Sequence, residues 1–438
     1  MSAITVADDF RLAAVGDLIA PGPLSLSSEW RLKSVEALLR DADVTFGNLE
    51  NTLIDLQHFR GYPEAESGGG HLSGSPAVAK DLRSMGFNMV SRANNHTTDW
   101  GVEGMRETNS AADAAGLVHA GTGENRATAR AAHYLDTAKG RVALVSMASS
   151  FTPLSAAGDA LGTAPGRPGL NALRVTPYVI VTPEMMQGLR KIREAEPPEL
   201  VDSWTGGLEE KPNELDLFDV HYRMGDKAGG LSYEMNEIDL REILQSIRKG
   251  KENADFLVAT IHAHEPHTEE PADFLPKLAH ACIDAGADAF IGHGPHRLRA
   301  IEIYHGKPIF YSLGNFLFQL TAVEPLSRDS YEAFKVDPTA STDKDLMDKI
   351  IKMHFNQPFW YESVIAVSQF DHGELSEVRL YPVELDYSDR TNKNGGIPGL
   401  ADLPVAHSIL EGLQRLSAPY GTTINIAGST GVIRLYPK

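Results

Sequence analysis

The chain has 438 residues, of which 42% are hydrophobic and 23% are charged, a composition typical of a globular protein with a sizeable core. The net charge of -19 repels nucleic acids and anionic lipid surfaces, and no basic run opposes that field. The single cysteine, Cys282, excludes an internal disulfide. No stretch approaches the roughly 18 apolar residues of a membrane span, and Met1 to Asp9 carry no positive side chain, so we expect no signal peptide, no membrane anchor and a cytoplasmic protein.

Short apolar runs alternate with helical patterns over the first 150 residues. Buried strands are predicted at residues 10–15, 44–46, 88–91 and 142–146. Helices are predicted over residues 30–39 and 77–85, and a third is expected to end near Gly116. This rhythm favours an α/β fold.

The character of the chain changes between residues 151 and 251, where Pro, Gly and acidic clusters are scattered and few buried-strand runs occur. Helices are predicted at 183–194 and 238–249. We interpret 151–251 as a large insertion that covers the site and contributes to substrate specificity.

The strand–helix alternation resumes at residue 252. Strands are predicted at 256–261 and 289–291 with a helix at 271–285 between them, followed by hairpins within 300–313 and 364–381. A helix at 403–416 and a hairpin within 424–433 form a C-terminal appendage, 391–438. We therefore predict one α/β domain over 1–438 with its core at 10–150 and 252–390.

Residues able to bind a metal ion follow one predicted strand after another. They are Asp17, Asn48, Glu50, Asn95, His96, His262, His293, His296 and Asn315. Each has an ordinary explanation by itself: Asp17 as a helix cap, Asn95 in a turn, and the segment Gly292–His296 as a polar turn. Open α/β sheets bind ligands at the carboxyl ends of their strands. The joint occurrence of these residues at so many strand ends therefore indicates a metal site.

Carboxylates and imidazoles are the ligands that such a site requires. Two divalent ions about 3.5–4 Å apart need a bridging carboxylate, with imidazole and carbonyl oxygens completing each coordination shell. A water bound to one ion becomes hydroxide near neutral pH and attacks a phosphorus or carbonyl centre.

Five segments together resemble the CapA/PgsA family of poly-γ-glutamate capsule synthesis proteins, within the calcineurin-like metallophosphoesterase superfamily. The segments are Val15-Gly16-Asp17, Gly47-Asn48-Leu49-Glu50, residues 93–101 with Asn94-Asn95-His96, Ile291–His296, and Tyr311-Ser312-Leu313-Gly314-Asn315-Phe316. The resemblance covers residues 10–150 and 255–320.

The resemblance implies a four-layer metallophosphoesterase-like sandwich of two mixed β-sheets flanked by helices. It implies one or two divalent ions (Mn, Zn or Fe) bound by Asp17, Glu50, Asn95, His262, His293 and His296. It makes His96 a catalytic residue that stabilises developing charge or protonates the leaving group. Asp99 either orients His96 or caps the helix that begins near Gly101.

Three departures from the family pattern bear on the metal site. No histidine stands two residues after Asp17, where this chain has Ile19. Gly294 occupies the position of a family histidine. The block that begins at His262 continues with His264 and Glu265 instead of the usual residues. A mononuclear site is therefore one alternative.

Other polar residues near these segments are candidates for substrate binding. They are Asn48, His264, Glu265, Arg92, Arg297 and Asn315. The two arginines either recognise an anionic group or are ordinary surface residues.

We therefore predict a soluble metal-dependent hydrolase, in which a metal-bound hydroxide attacks an amide or γ-glutamyl-type bond, or a phosphoester, of a small acidic or peptide-like substrate. The amide-type bond is favoured. The alternative is a non-catalytic accessory protein of capsule polymer synthesis. Nucleic acid is not an expected partner, and a homodimer is possible.

Overall fold

Two mixed β-sheets dominate the computed structural model of the protein, which describes residues 5–24, 30–64, 70–197, 211–266, 268–323, 325–392 and 395–435. The strands, in chain order, are β1 (Phe10–Ile19), β2 (Val44–Leu49), β3 (Thr52–Leu53), β4 (Ser73–Gly74), β5 (Met89–Ser91), β6 (Val118–Ala120), β7 (Thr122–Gly123), β8 (His133–Thr137), β9 (Gly140–Ala148), β10 (Gly169–Leu170), β11 (Val175–Val181), β12 (Glu214–Leu217), β13 (Val220–Met224), β14 (Leu231–Met235), β15 (Phe256–His262), β16 (Ala289–His293), β17 (Ile301–Tyr304), β18 (Lys307–Phe310), β19 (Asn315–Phe318), β20 (Glu362–Asp371), β21 (Glu374–Glu384), β22 (Gly399–Leu400), β23 (Asn425–Ala427) and β24 (Thr430–Arg434). The helices are α1 (Trp30–Arg40), α2 (Ala77–Met85), α3 (Gly101–Ala115), α4 (Arg126–Ala129), α5 (Pro183–Glu194), α6 (Glu237–Lys251), α7 (Phe274–Asp284), α8 (Arg328–Ala333), α9 (Asp343–His354) and α10 (Leu403–Ser417).

The first sheet has ten strands and the second has six. The first follows the order β23-β24-β21-β20-β1-β2-β5-β6, with β19 paired to β1 and β22 paired to β21. The second follows β17-β18-β16-β15-β9-β8. In each sheet the central strands are parallel, β1 with β2 and β19, and β15 with β9 and β16. Parallel pairing brings the carboxyl ends of neighbouring strands to the same edge of the sheet.

Side chains alternate between the two faces of each sheet. On β1, Leu12 lies in a hydrophobic cluster that contains residues of both sheets, whereas Ala13 lies in a cluster with helices α1 and α2. Phe256 of the second sheet packs against Phe10 and Phe370 of the first, with ring centroids 5.0 and 4.8 Å apart. On β15, Leu257 lies in a third cluster with helices α6 and α7. The α/β class predicted from the sequence is confirmed, and the specific four-layer sandwich stays a prediction.

Residues 151–251 contain a third, four-stranded sheet that the sequence did not predict, in the order β12-β13-β11-β14. Its strands bury few residues, such as Leu215 and Leu217 on β12 and none on β13, so they lack the continuous apolar run of a fully buried strand. Helix α5 has the predicted bounds, and helix α6 packs on the second sheet through Ile243 and Ile247. The insertion, its limits and its position over the site stay predictions.

Asp239 on α6 joins that helix to the chain at Arg174. The Asp239 carboxylate is buried and accepts hydrogen bonds from Arg174 N (3.1 Å), Nε (2.7 Å) and Nη2 (2.8 Å). Burial acts to raise the pKa of Asp239, but the Arg174 hydrogen bonds hold it below its ordinary value. A lowered carboxyl pKa gives stability that is present above the unfolded pKa of about 4 and is lost as the pH falls through the folded value.

We therefore expect Asp239→Asn to lower the free energy of unfolding by about 1–3 kcal/mol near pH 7. The difference from the wild type should shrink as the pH falls below about 4, because the wild-type carboxyl then becomes protonated. Urea unfolding at both pH values measures this, with the exposed Asp136→Asn as control. An equal loss at both pH values would contradict the ion-pair explanation.

The C-terminal helix and hairpin are present near their predicted positions, at α10 and at β23 and β24. The hairpin extends the first sheet, since β24 pairs with β21, and α10 contributes Leu410 and Leu413 to the cluster shared by the two sheets. Helices α8 and α9 were not predicted. Among the helices in the described ranges, none has the length and apolar character required to cross a membrane.

Candidate metal centre

The carboxyl ends of strands from both sheets meet at one buried site. In the first sheet, Asp17 of β1 stands in register with Asn48 of β2 and with Asn315 of β19. In the second, His262 of β15 stands in register with His293 of β16. All five side chains are buried. Residues separated by almost 300 positions in the chain are thus held by rigid strand ends.

Glu50 lies at the centre of the ligand-capable groups. The Nε2 atoms of His262 and His296 each lie 3.5 Å from Glu50 Oε1. His296 Nδ1 lies 3.4 Å from Asp17 Oδ2, and His293 Nδ1 lies 3.4 Å from Asp17 Oδ1. Two sets of three residues could each hold an ion, since the ligand atoms within each set lie within 4.8 Å of one another. One set is Asp17, Glu50 and His296, and the other is Glu50, His262 and His264. Glu50 is common to both sets.

The electrostatics of the two carboxylates fit a bound cation. Neither oxygen of Glu50 has a hydrogen-bond partner within the described parts of the chain, although both are buried. Burial, together with the charges of Asp17 and Asp99, raises the pKa of Glu50 well above its ordinary value. Burial also acts to raise the pKa of Asp17, but His293 and His296 hold it well below. A buried carboxylate without donors, such as Glu50, is costly unless a cation compensates it, so these residues fit one or two divalent ions.

Two asparagines predicted to bind substrate contact other members of the site, and their binding of substrate stays a prediction. Asn48 Nδ2 donates to Asp17 Oδ1 at 2.8 Å and lies 3.1 Å from His262 Nδ1. Asn315 Oδ1 lies 2.8 Å from His296 Nδ1, and Asn315 Nδ2 donates to the Trp360 carbonyl at 2.9 Å. Such partners fix the ring orientation of a metal-binding histidine.

The turn at Gly294 explains one departure from the family pattern. Gly294 has a φ of +108°, and a Cβ added there would lie 2.9 Å from the backbone nitrogen of Ala263. The Gly294 N–H donates to Asp17 Oδ2 at 3.3 Å. A histidine at this position would therefore require the neighbouring loop to shift. His296, two residues later, also has a positive φ, +53°.

His96 and Asp99 form a buried pair at the end of β5. His96 Nδ1 lies 2.7 Å from Asp99 Oδ2, and the Leu72 N–H donates to the same oxygen at 2.7 Å. The N-cap of α3 is Trp100, without a side-chain capping bond, so the geometry matches the orienting alternative for Asp99. Asn95, next to His96, is also buried. The catalytic roles of His96 and Asp99 and ligation by Asn95 stay predictions.

His264 and Glu265 follow β15 and lie beside the site. The Nε2 atoms of His264 and His262 are 2.9 Å apart. Glu265 Oε2 accepts a hydrogen bond from Ser149 Oγ at 3.0 Å. His264 is thus in contact with the ligand set, whereas Glu265 braces the loop against the end of β9.

The two predicted arginines have different surroundings. Arg92 is fully buried and its Nη1 donates to the Leu49 carbonyl at 2.9 Å, while burial lowers its pKa to about 10. This bond supports the backbone at the end of β2, and the contact of Arg92 with substrate stays a prediction. Arg297 donates to Glu269 Oε1 at 2.9 Å and lies over the Phe359 ring at 4.2 Å.

Asn94 is a supporting residue that was not predicted from the sequence as a member of the site. Asn94 Nδ2 donates to the Leu49 carbonyl at 2.8 Å and to Asn48 Oδ1 at 3.2 Å, and its Oδ1 accepts from the His96 N–H at 3.1 Å. The Asn-Asn-His block in the sequence could have indicated this supporting role of Asn94. No local signal indicated the Trp360 carbonyl, because it approaches the site from a distant part of the chain.

The chain is therefore an α/β protein with a candidate metal centre. The centre lies where the strand ends of two sheets bring ligand-capable side chains together. The family described as "Bacterial capsule synthesis protein PGA_cap" matches residues 11–320. The chain belongs to this family.

The chain is also similar to individual proteins. "Uncharacterized protein y4sH" of Sinorhizobium fredii is 48% identical over 446 residues, covering 99% of this chain and 95% of that protein. "Capsule biosynthesis protein CapA" of Bacillus anthracis is 27% identical over 291 residues, covering 66% of this chain and 54% of that protein. "PGA biosynthesis protein CapA" of Bacillus subtilis is 27% identical over 320 residues, covering 72% and 65%.

Proposed function

We propose that the protein is a metal-dependent hydrolase that cleaves an amide or γ-glutamyl-type bond, or a phosphoester, in a small acidic or peptide-like substrate. The observation that carries the proposal is Glu50, a buried carboxylate without hydrogen-bond donors in the described residues and shared by two sets of ligand-capable side chains. One or two divalent ions, Mn, Zn or Fe, would satisfy it.

The chain's own residues supply the remaining functions. Bound ions would polarise the scissile bond and lower the pKa of a water molecule. Asp17, Glu50 and the histidines of the site hold the positive charge in place. Asp99, an acceptor, keeps the His96 proton on Nδ1 and stabilises the positive charge on the ring when His96 exchanges a proton through Nε2.

The substrate class follows from charge and from the relatives. An acidic protein with a net charge of -19 attracts an anionic substrate only where ions or local arginines reverse the field. The Bacillus relatives are named for capsule and PGA biosynthesis, which favours a γ-glutamyl-type bond over a phosphoester.

The second candidate function is a non-catalytic accessory role in capsule polymer synthesis. The observation that favours it is Ile19, which stands where the superfamily has a metal-binding histidine and lies instead in the hydrophobic cluster of the first sheet. Loss of one ligand would weaken an ion site without changing the fold.

We also propose that the two sheets and their outer helices form the four-layer sandwich of the metallophosphoesterases. The support is one apolar cluster shared by the sheets and one further cluster between each sheet and its helices.

A metal-content measurement tests the proposed function. We expect the purified chain to retain at least one transition-metal ion per molecule after dialysis, and the double variant His262→Ala/His293→Ala to retain fewer ions, because His262 lies beside Glu50 and His293 lies beside Asp17. The metal-loaded wild type is then assayed with p-nitrophenyl phosphates, γ-glutamyl amides and cyclic amides. A wild type that takes up no metal would contradict the hydrolase proposal. A wild type that binds metal but hydrolyses none of these substrate classes would contradict it as well.

A further inference from the structure

We propose that His264 is a metal ligand and that Glu50, His262 and His264 hold one ion of the site, separate from the ion held by Asp17, Glu50 and His296. The inference rests on the metal centre of the proposed function and goes beyond it, since the sequence pattern suggested only a substrate contact for His264.

The separations between the three ligand atoms carry the assignment. His264 Nε2 lies 2.9 Å from His262 Nε2, which in turn lies 3.5 Å from Glu50 Oε1. Ligand atoms roughly 2.0–2.2 Å from one ion, at angles of about 90–115°, are separated from each other by roughly 2.9–3.6 Å. Both observed distances fall in that range. The third separation, between His264 and Glu50, is at most 4.8 Å, so the three side chains are close enough to share one ion.

The loop that carries His264 is fixed at three points. The His264 N–H donates to Ser150 Oγ at 2.8 Å, and the Ala263 N–H donates to the His293 carbonyl at 2.8 Å. Glu265 is held by Ser149 Oγ. These bonds attach the loop to the ends of β9 and β16, so His264 is positioned before an ion arrives.

Ile19 provides no ligand to the first ion, whereas His264 adds a ligand to the second. Ile19 is buried in the core and leaves the first ion with Asp17, Glu50 and His296. His264, which follows a strand of the second sheet, gives the second ion its third ligand. Each ion then has three His or carboxylate ligands, and Glu50 is a ligand of both. Neutral imidazole suits Zn, Fe and related ions better than Mg²⁺ or Ca²⁺.

The test is a titration of the full-length, metal-stripped chain with Co²⁺, followed by visible absorption and by metal content after dialysis. We expect His264→Ala to lose one of the two Co²⁺ ions, or to weaken its binding at least about tenfold, and to retain the other. The His264→Asp variant should restore binding, because a carboxylate replaces the missing ligand. The exposed His58→Ala is the matched control and should leave the titration unchanged.

Several outcomes separate this inference from the proposed function. Unchanged stoichiometry and affinity in His264→Ala would overturn it, and a raised KM with both ions retained would make His264 a substrate contact instead. If His264→Ala loses the ion while the wild type hydrolyses nothing, the ligand assignment stands and the hydrolase proposal fails. A wild type without Co²⁺ binding overturns both. Thermal unfolding without metal shows whether the variant folds, and His264→Gln replaces His264→Ala if it does not.

Discussion

Glu50→Gln is expected to abolish ion binding and, in the metal-free protein, to raise the free energy of unfolding. Both Glu50 oxygens are buried without hydrogen-bond donors in the described residues, beside the carboxylate of Asp17. Without an ion, the folded chain must either keep two adjacent negative charges out of water or protonate Glu50. A neutral amide of the same shape removes that penalty, and we expect a gain of about 1–3 kcal/mol.

The same substitution removes the shared ligand of both ion sets. Metal added to the wild type should raise its unfolding temperature, whereas metal added to Glu50→Gln should not, because only the folded wild type binds the ion. Thermal unfolding with and without Zn²⁺ measures both effects, and the exposed Glu103→Gln is the control. A metal-free Glu50→Gln protein that is less stable than the wild type would show that Glu50 has a structural partner and would weaken the case for an ion.

The strand ends of this site could be predicted because each carries a local sequence signal. Asp17, Glu50, His262 and His293 follow short apolar runs, and the parallel strands bring them together. Helices α2 and α5 were predicted with the observed bounds, since Gly86 ends one and Pro183 begins the other. These features depend on residues close in the chain.

The rest depends on contacts between distant residues. Strand β1 was expected to end near Asp17 but continues to Ile19, because β19 pairs with its last residues after a register shift. Asn315 was predicted to bind substrate, yet the same pairing brings it to His296. The approach of Ala263 to Gly294 likewise joins two loops of different strands. No periodicity in the sequence encodes such pairs. The residues of the site could therefore be predicted from the sequence, but their contacts could not.

His96→Ala is expected to lower kcat by about 10²–10⁴-fold while leaving the metal content unchanged, because a positioned general acid or base contributes a factor of this size. His96 is buried, and neither ligand set contains it. Kinetics on the substrate identified by the screen, with metal analysis of each variant, measures this. The exposed His58→Ala is the control and should keep wild-type kcat. An unchanged kcat in His96→Ala would remove His96 from the mechanism.

Asp99→Asn separates orientation from ligation at the same position. Asp99 Oδ2 accepts from His96 Nδ1 and from the Leu72 N–H, and an amide oxygen can accept both bonds. The fold and the ring orientation should therefore persist, while the negative charge that stabilises a protonated His96 is lost. We expect a fall in kcat smaller than that of His96→Ala, with the metal content unchanged. If both variants instead lose metal together with activity, His96 acts through the ions, and its assignment as a separate proton-transfer group is wrong.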